Sequence, residues 1–255
     1  MLRHRIIPIV LLDGYSVVKT IKFDVRRNLG NPITVARIYN TRNVDELILL
    51  DIDASKENRK IDLFTIEDVA SECFMPLCVG GGLKSCEDIA EALSRGADKV
   101  SINSEALRNA KFISDASRFF GAQCIVVSVD VKSDEQGRWK VFSHAGVDNS
   151  RELIDWVREI ESLGAGEILL NSVDRDGVMA GYDFKLIEEI SELVSIPVIV
   201  AGGAGNPGDA TKAVQNGASA VGISSIFHFT SYTPDEIKED LHRAGLPVRR
   251  RGTRE

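Results

Sequence analysis

The residues with chemistry to offer come in matched sets. Asp130 ends the apolar run CIVVSVD, so a strand would carry its carboxylate to the rim of the fold, where it could give or take a proton. A positioned acid or base typically contributes about 10²–10⁴-fold to a rate. A salt bridge to Lys132 or a loop cap is the plainer alternative for the same residue. Gly81-Gly82 follows the run PLCVG, and Gly202-Gly203 follows PVIVA. Glycines let a ligand approach the backbone closely, and a helix starting just beyond offers free N–H groups and the positive end of its dipole. Asn103-Ser104 and Ser224-Ser225 stand after the next runs on each side, so two phosphate grips are legible. The polar turn NSVDRDGVMAGYD, 171 to 183, adds Asp174 and the pair Asp176-Gly177, which could hold phosphate or hydroxyls or be no more than a turn. Lys19, Asp51 and Asn171 complete the candidate substrate-binding set.

Something must position these groups, and the chain shows one beat repeated. RIIPIVLL, ELILLDID, PLCVGGG, DKVSIN, QCIVVSVDV, EILLNSV, PVIVAGG and SAVGIS each have the length and β-branched content of a strand buried on both faces. Helical patterns lie between them. Ser85 with Asp88 reads as a capping box before a helix that stops at Gly96, and Asn206, Pro207 and Asp209 open another that ends at Gly217. Ser150 or Asp148 opens a third, with Leu153, Trp156, Val157 and Ile160 on one face. Eight strands alternating with helices in 255 residues indicate a parallel, eight-stranded (β/α)8 TIM barrel. An open doubly wound sheet is the alternative. The barrel is expected to occupy residues 1–247 as one domain, with a basic tail, 248–255, frayed and disordered.

The chain also repeats over half its length. PLCVGGGLKSCEDIAEALSRGADKVSINS, from Pro76, matches PVIVAGGAGNPGDATKAVQNGASAVGISS, from Pro197, at an offset of 197 − 76 = 121. Two half-barrels follow, and in a closed ring each site lies opposite its twin. Two symmetric grips imply a long ligand with a phosphate at each end. The same symmetry sets Leu11, in the first run, beside Asp130 in the fifth. If the chemistry needs two facing acids, the second belongs at position 11, and leucine cannot transfer a proton. Asp13, two residues on, is a weak candidate to replace it.

Composition narrows the classes. A formal net charge of −7 excludes a sequence-independent nucleic-acid binder, which needs a basic footprint. No run of about 18 apolar residues exists to span a membrane, and no signal segment opens the chain, so a cytoplasmic protein is expected. Cys73, Cys78, Cys86 and Cys124 lack zinc-site spacing and read as free thiols. His4, His144, His228 and His242 show no ligand spacing either, so neither a metal nor a cofactor is expected.

From RIIP through DELILLDIDAS, GADKVSINS, GAGEILLNSVDRDG, AGGAG and IFHF to LPVR, the chain resembles the cyclase (HisF) subunit of imidazole glycerol phosphate synthase, of histidine biosynthesis. The resemblance implies a barrel that receives ammonia from a glutaminase (HisH-like) subunit docked at its lower, N-terminal face and uses it on a doubly phosphorylated ribulosyl nucleotide. It implies that Gly82, Asn103, Ser104, Asp176, Gly177, Gly203 and Ser225 hold phosphates and that Asp130 is one of two catalytic aspartates. The other stands at the end of strand one, where this chain has Leu11; Asn171, Val178 and Met179 depart from the family pattern at the same mouth. Arg5, Glu46, Lys99 and Glu167 each precede an apolar run, so they converge on the barrel floor. A structural ion-pair ring explains them, and so does the charged ammonia gate that the resemblance implies. The leading expectation is a divergent paralogue that delivers ammonia to another acceptor, of the kind linked to acetamidino modification of surface-polysaccharide sugars, with a sugar amidotransferase as a further partner. A genuine histidine-pathway cyclase is the rival, and a non-catalytic barrel that activates or anchors the glutaminase is the third reading.

Overall fold

In the computed structural model, which describes residues 3–147 and 151–251, the eight apolar runs become parallel strands that close on themselves. In chain order the strands are β1 (Arg5–Asp13), β2 (Ser16–Ile21), β3 (Val25–Gly30), β4 (Leu47–Asp51), β5 (Leu77–Gly80), β6 (Lys99–Ile102), β7 (Ile125–Ser133), β8 (Trp139–Phe142), β9 (Glu167–Ser172), β10 (Val198–Ala201) and β11 (Ala220–Ile223). The ring runs β1-β4-β5-β6-β7-β9-β10-β11, and β1 pairs in parallel with both β4 and β11, which closes it. The helices are α1 (Pro32–Thr41), α2 (Leu63–Glu72), α3 (Cys86–Ser94), α4 (Ser104–Arg108), α5 (Lys111–Phe120), α6 (Leu153–Ser162), α7 (Phe184–Leu193), α8 (Pro207–Gln215), α9 (Ser225–Phe229) and α10 (Pro234–Arg243). This is a (β/α)8 barrel, not an open doubly wound sheet.

Strand periodicity divides the core in two. Alternate residues face opposite sides of a strand. One set, including Ile6, Val10, Leu12, Val79, Val127 and Val129, packs against the helices; the other, including Ile7, Ile9, Leu11, Ile48, Cys78, Val126, Leu169 and Ile199, fills the lumen. The short helices are stopped and started locally. Asn206 and Asp209 form a reciprocal capping box on α8. Ser85 caps α3 by accepting from the Asp88 amide, while the Asp88 carboxylate takes the Lys84 amide instead of closing the box on Ser85 alone. α6 begins at Leu153, and Ser150 and Asp148 lie outside the described residues.

The half-barrel repeat is visible in the register. Leu11 of β1 is paired with Leu50 of β4, and Asp130 of β7 with Asn171 of β9. Since 171 − 50 = 121, positions 11 and 130 are equivalent in the two halves. Each half also carries an antiparallel extension from its first strand: β2 and β3 from β1, and β8 from β7. Residues 16–30 form a hairpin of β2 and β3 turned at Lys22 and Phe23 (φ 53° and 62°), while Gly14 (φ +56°) turns β1 into β2.

The chain end is tied to the barrel floor. Asp45 accepts hydrogen bonds from the Ile6 amide (2.9 Å), the buried Lys238 ammonium (2.7 Å) and Arg249 (2.8 Å), and His4 donates its amide to Pro247. Residues 248–251 of the basic run thus lie against β1 and α10, while 252–255 lie outside the described residues. No helix among the described residues is long and apolar enough to cross a membrane.

Candidate active site

At the carboxyl ends of the barrel strands the loops enclose one large cavity. Its walls include Lys19, Asp51, Gly81, Gly82, Asn103, Ser104, Asp130, Asn171, Asp176, Gly177, Gly202, Gly203, Ser224 and Ser225, whereas Asp174 is not among them and accepts from the Ser133 amide (2.8 Å) instead. Leu11 lines the same cavity at the position equivalent to Asp130. Asp13 does not. It ends β1, half-exposed and bound to Arg26 at 2.7 Å, away from the cavity wall. The reason is geometric: two residues beyond Leu11 the strand has left the rim, and Arg26 on β3 holds the side chain there along with Asp53.

Asp130 is buried, and its two oxygens accept from the amides of Asn103 (2.8 Å) and Asn171 (3.4 Å). Burial pushes its pKa up to about 7; the two amides pull against that, and the nearby Asp176 adds to it. A carboxyl poised near neutrality suits proton transfer better than an ordinary aspartate does. No cation among the described residues pairs with it, which removes the Lys132 salt bridge as its explanation; Lys132 lies over the Phe142 ring instead. The other cavity acids are engaged. Asp176 accepts from the buried Lys19 ammonium (2.8 Å) and from the Thr20 hydroxyl (2.6 Å), which ties β2 to the loop after β9. Asp51 accepts from Arg59 (2.5 and 3.2 Å) and the Ala54 amide (3.1 Å), which shapes the loop after β4.

The glycine pairs have a packing reason that the sequence did not show. A Cβ on Gly81 would lie 2.6 Å from the Asp51 carbonyl oxygen, and one on Gly82 1.8 Å from that of Arg59. Their twins repeat the arrangement: Gly202 is crowded by Ser172 (2.5 Å) and Gly203 by Gly181 (2.3 Å). Glycine is required here so that the preceding loop can pack against the turn, and all four also have positive φ. Gly177 likewise admits the Thr20 backbone of β2, 2.2 Å from where its Cβ would be. Beyond the pairs, α4 and α9 start in the same way. Asn103 and Ser224 have nearly equal backbone angles (φ −137° and −135°, ψ −81° and −76°) and neither side chain caps its helix. The first-turn amides of both helices therefore keep their hydrogen-bonding capacity.

At the opposite end of the barrel, Arg5, Glu46, Lys99 and Glu167 close a ring. Arg5 reaches Glu46 at 2.7 Å and Glu167 at 3.1 Å, and Lys99 reaches both at 3.0 Å. Burial opposes the charge on Lys99, but Glu46 and Glu167 outweigh it and raise its pKa; Arg5 follows the same pattern. Above the ring the lumen is packed rather than open. Ile7, Ile48, Cys78, Val126, Ile199 and Ala220 are fully buried there, as expected for a barrel core. Between the ring and the cavity these packed side chains leave no open conduit.

Sequence reasoning missed several contributors to the site. Thr20 and Arg59 fix Asp176 and Asp51, and Phe23 and His144 wall the cavity from the two hairpins, their rings 6.0 Å apart. The partly buried WKVF before His144 gave only a weak sign that a strand would bring it to the mouth. The four cysteines are free, and no cluster of three metal-ligating side chains occurs among the described residues.

The model of the family described as "Histidine biosynthesis protein" matches residues 5–233. The "Putative imidazole glycerol phosphate synthase subunit hisF2" of Campylobacter jejuni is 48% identical over 249 residues, which is 98% of this chain and 99% of that protein. With the closed barrel and its two-sided mouth, these matches place the chain in the histidine biosynthesis protein family, as a HisF-like subunit of the imidazole glycerol phosphate synthase type.

Proposed function

We propose that this chain is the ammonia-using synthase subunit of a glutamine-dependent complex. A HisH-like glutaminase docks on the N-terminal face, over the Arg5–Glu46–Lys99–Glu167 ring, and ammonia crosses the apolar lumen to an acceptor held at the mouth. The acceptor carries a phosphate at each end, gripped by Gly81, Gly82, Asn103 and Ser104 on one side and by Gly202, Gly203, Ser224 and Ser225 on the other. Asp176 with Gly177 and Lys19 orient its middle, and Asp130 transfers a proton. The observation that carries this reading is the pairing of a closed charge ring at one end of an apolar lumen with Asp130 at the other, between two equivalent Gly-Gly loops. A ring of charges beneath a hydrophobic core is costly unless well paired, and as mere scaffolding it would be dispensable.

Leu11 supports a further step. With no carboxylate facing Asp130 from strand one, the acceptor chemistry departs from cyclisation, and the chain serves amidination linked to the sugars of surface polysaccharide, handing on its product or its ammonia to a sugar amidotransferase. The likeness to the C. jejuni imidazole glycerol phosphate synthase subunit favours a second reading, the histidine-pathway cyclase. Co-purification with the partner glutaminase, followed by assays with the doubly phosphorylated ribulosyl nucleotide and with phosphorylated acetamido sugars, separates them. Glutamine-dependent loss of the nucleotide supports the cyclase, and amidine formation on the sugar supports the leading reading. A chain that binds no glutaminase contradicts both.

A further inference from the structure

Six titratable side chains line the mouth: Lys19, Asp51, Glu105, Asp130, His144 and Asp176. Four are engaged in ion pairs, Lys19 with Asp176, Asp51 with Arg59 and Glu105 with Arg108. Asp130 is held only by neutral amides. His144 has no hydrogen bond or ion pair among the described residues; its one ring contact is edge-on with Phe23. The two groups free to exchange protons therefore enter the cavity from the same half-barrel extension, Asp130 on β7 and His144 just beyond its partner strand β8. Both side chains line the same cavity.

We propose that His144 is the second proton-transferring residue of the mouth, acting with Asp130 in place of a strand-one carboxylate. This rests on the ammonia-using reading above. The step is addition of ammonia to a carbonyl-type carbon of the acceptor. The nitrogen lone pair forms the N–C bond while the carbon–oxygen π pair moves onto oxygen. His144 takes the proton that the new ammonium sheds, and the Asp130 carboxyl gives its proton to the oxygen, leaving a neutral carbinolamine, an imidazolium and a carboxylate. Their ionisation fits these roles. Burial lowers the pKa of His144, and Lys56 and Arg26 lower it further against the opposing Asp53, so the imidazole is a neutral base near pH 7. Asp13 is paired with Arg26, and Lys132 lies over the Phe142 ring. Asp130, with a pKa of about 7, still holds a proton in a large share of molecules there.

The test uses the whole chain, with its imidazole resonances assigned by His→Asn variants and followed by NMR as pH is varied, with and without ribulose 1,5-bisphosphate as the doubly phosphorylated probe. His144 is expected to titrate below the ordinary histidine value of about 6.5 and to move up by at least about 0.3 pH units when the probe binds, since an anion favours the imidazolium. His242, on α10, is expected to stay put. Turnover of the ribulosyl nucleotide with ammonium chloride gives the second readout. His144→Asn should lower kcat by about 30-fold or more with KM within about threefold, and should abolish the acidic limb of the pH–rate profile, while His144→Gln behaves alike. Calorimetric binding of the bisphosphate with an unmoved His144 overturns the proposal, as does an acidic limb that survives His144→Asn. Failure of the bisphosphate to bind at all overturns instead the phosphate-gripping reading on which it rests. The NMR readout needs no turnover, so it decides the matter even for a chain that leaves this nucleotide untouched.

Discussion

Replacing Asp130 by Asn should stabilise this protein, and by an amount that depends on pH. The carboxyl titrates near pH 3.8 when unperturbed and at about 7 when buried beside Asn103 and Asn171. Between those values the folded chain holds a proton that the unfolded chain has released, so wild-type stability falls as pH rises through this window and levels off above it. The difference, 7 − 3.8, is about 3 pH units, or about 4 kcal/mol at 1.36 kcal/mol per unit. An asparagine keeps one acceptor oxygen but turns its own N–H groups toward the second amide, which costs about 1 kcal/mol. The variant should then gain about 3 kcal/mol at pH 8, or roughly 6–12 °C in melting temperature for a chain of this size, and almost nothing at pH 4. Circular-dichroism melts of both proteins at pH 4.5, 6, 7 and 8 measure this. A melting-temperature difference that does not change with pH would show that Asp130 is not a buried carboxyl with a raised pKa, and would remove the physical basis for its proton-transfer role.

Leu11→Asp returns a carboxylate to the place equivalent to Asp130 and should raise ammonia-dependent cyclisation of the ribulosyl nucleotide; unchanged activity in a folded variant would count against position 11 as the vacated site. Gly82→Ala should abolish folding or lower the melting temperature by more than about 10 °C, because its methyl would lie against the Arg59 carbonyl, whereas Gly14→Ala, with nothing within 4 Å, should cost only the left-handed backbone penalty of about 1 kcal/mol. Equal losses in the two variants would show that close packing is not the reason for Gly82.

The barrel was legible because it is written in short apolar runs and one long repeat. The 121-residue offset located both Gly-Gly loops and the polar pairs Asn103-Ser104 and Ser224-Ser225, and the half-barrel symmetry set Leu11 against Asp130, 130 − 11 = 119 residues on, an equivalence that the strand register repeats. The hairpin strands β2, β3 and β8 were less legible. VRRNLG on β3 is almost wholly exposed, so no hydrophobic alternation marks it, and WKVF is only partly buried. His144 went unrecognised for the same reason, since its place depends on β8. The loop packing at the glycines was not legible, because a sequence shows that a bulky side chain is excluded, not whether a ligand, a neighbouring loop or both exclude it. The packing of the lumen was likewise out of reach, since apolar residues line an open channel and fill a closed one with the same pattern.

The central claim is that nitrogen travels from the charged floor to the mouth, and the most direct measurement compares two nitrogen sources in the complex with the glutaminase. For Lys99→Ala and Glu167→Ala, product formation from glutamine should fall by about tenfold or more relative to glutamine consumed, while product formation from ammonium chloride supplied at the mouth stays within about twofold of wild type. Equal loss from both sources would contradict passage through the ring and leave Arg5, Glu46, Lys99 and Glu167 as structural ion pairs.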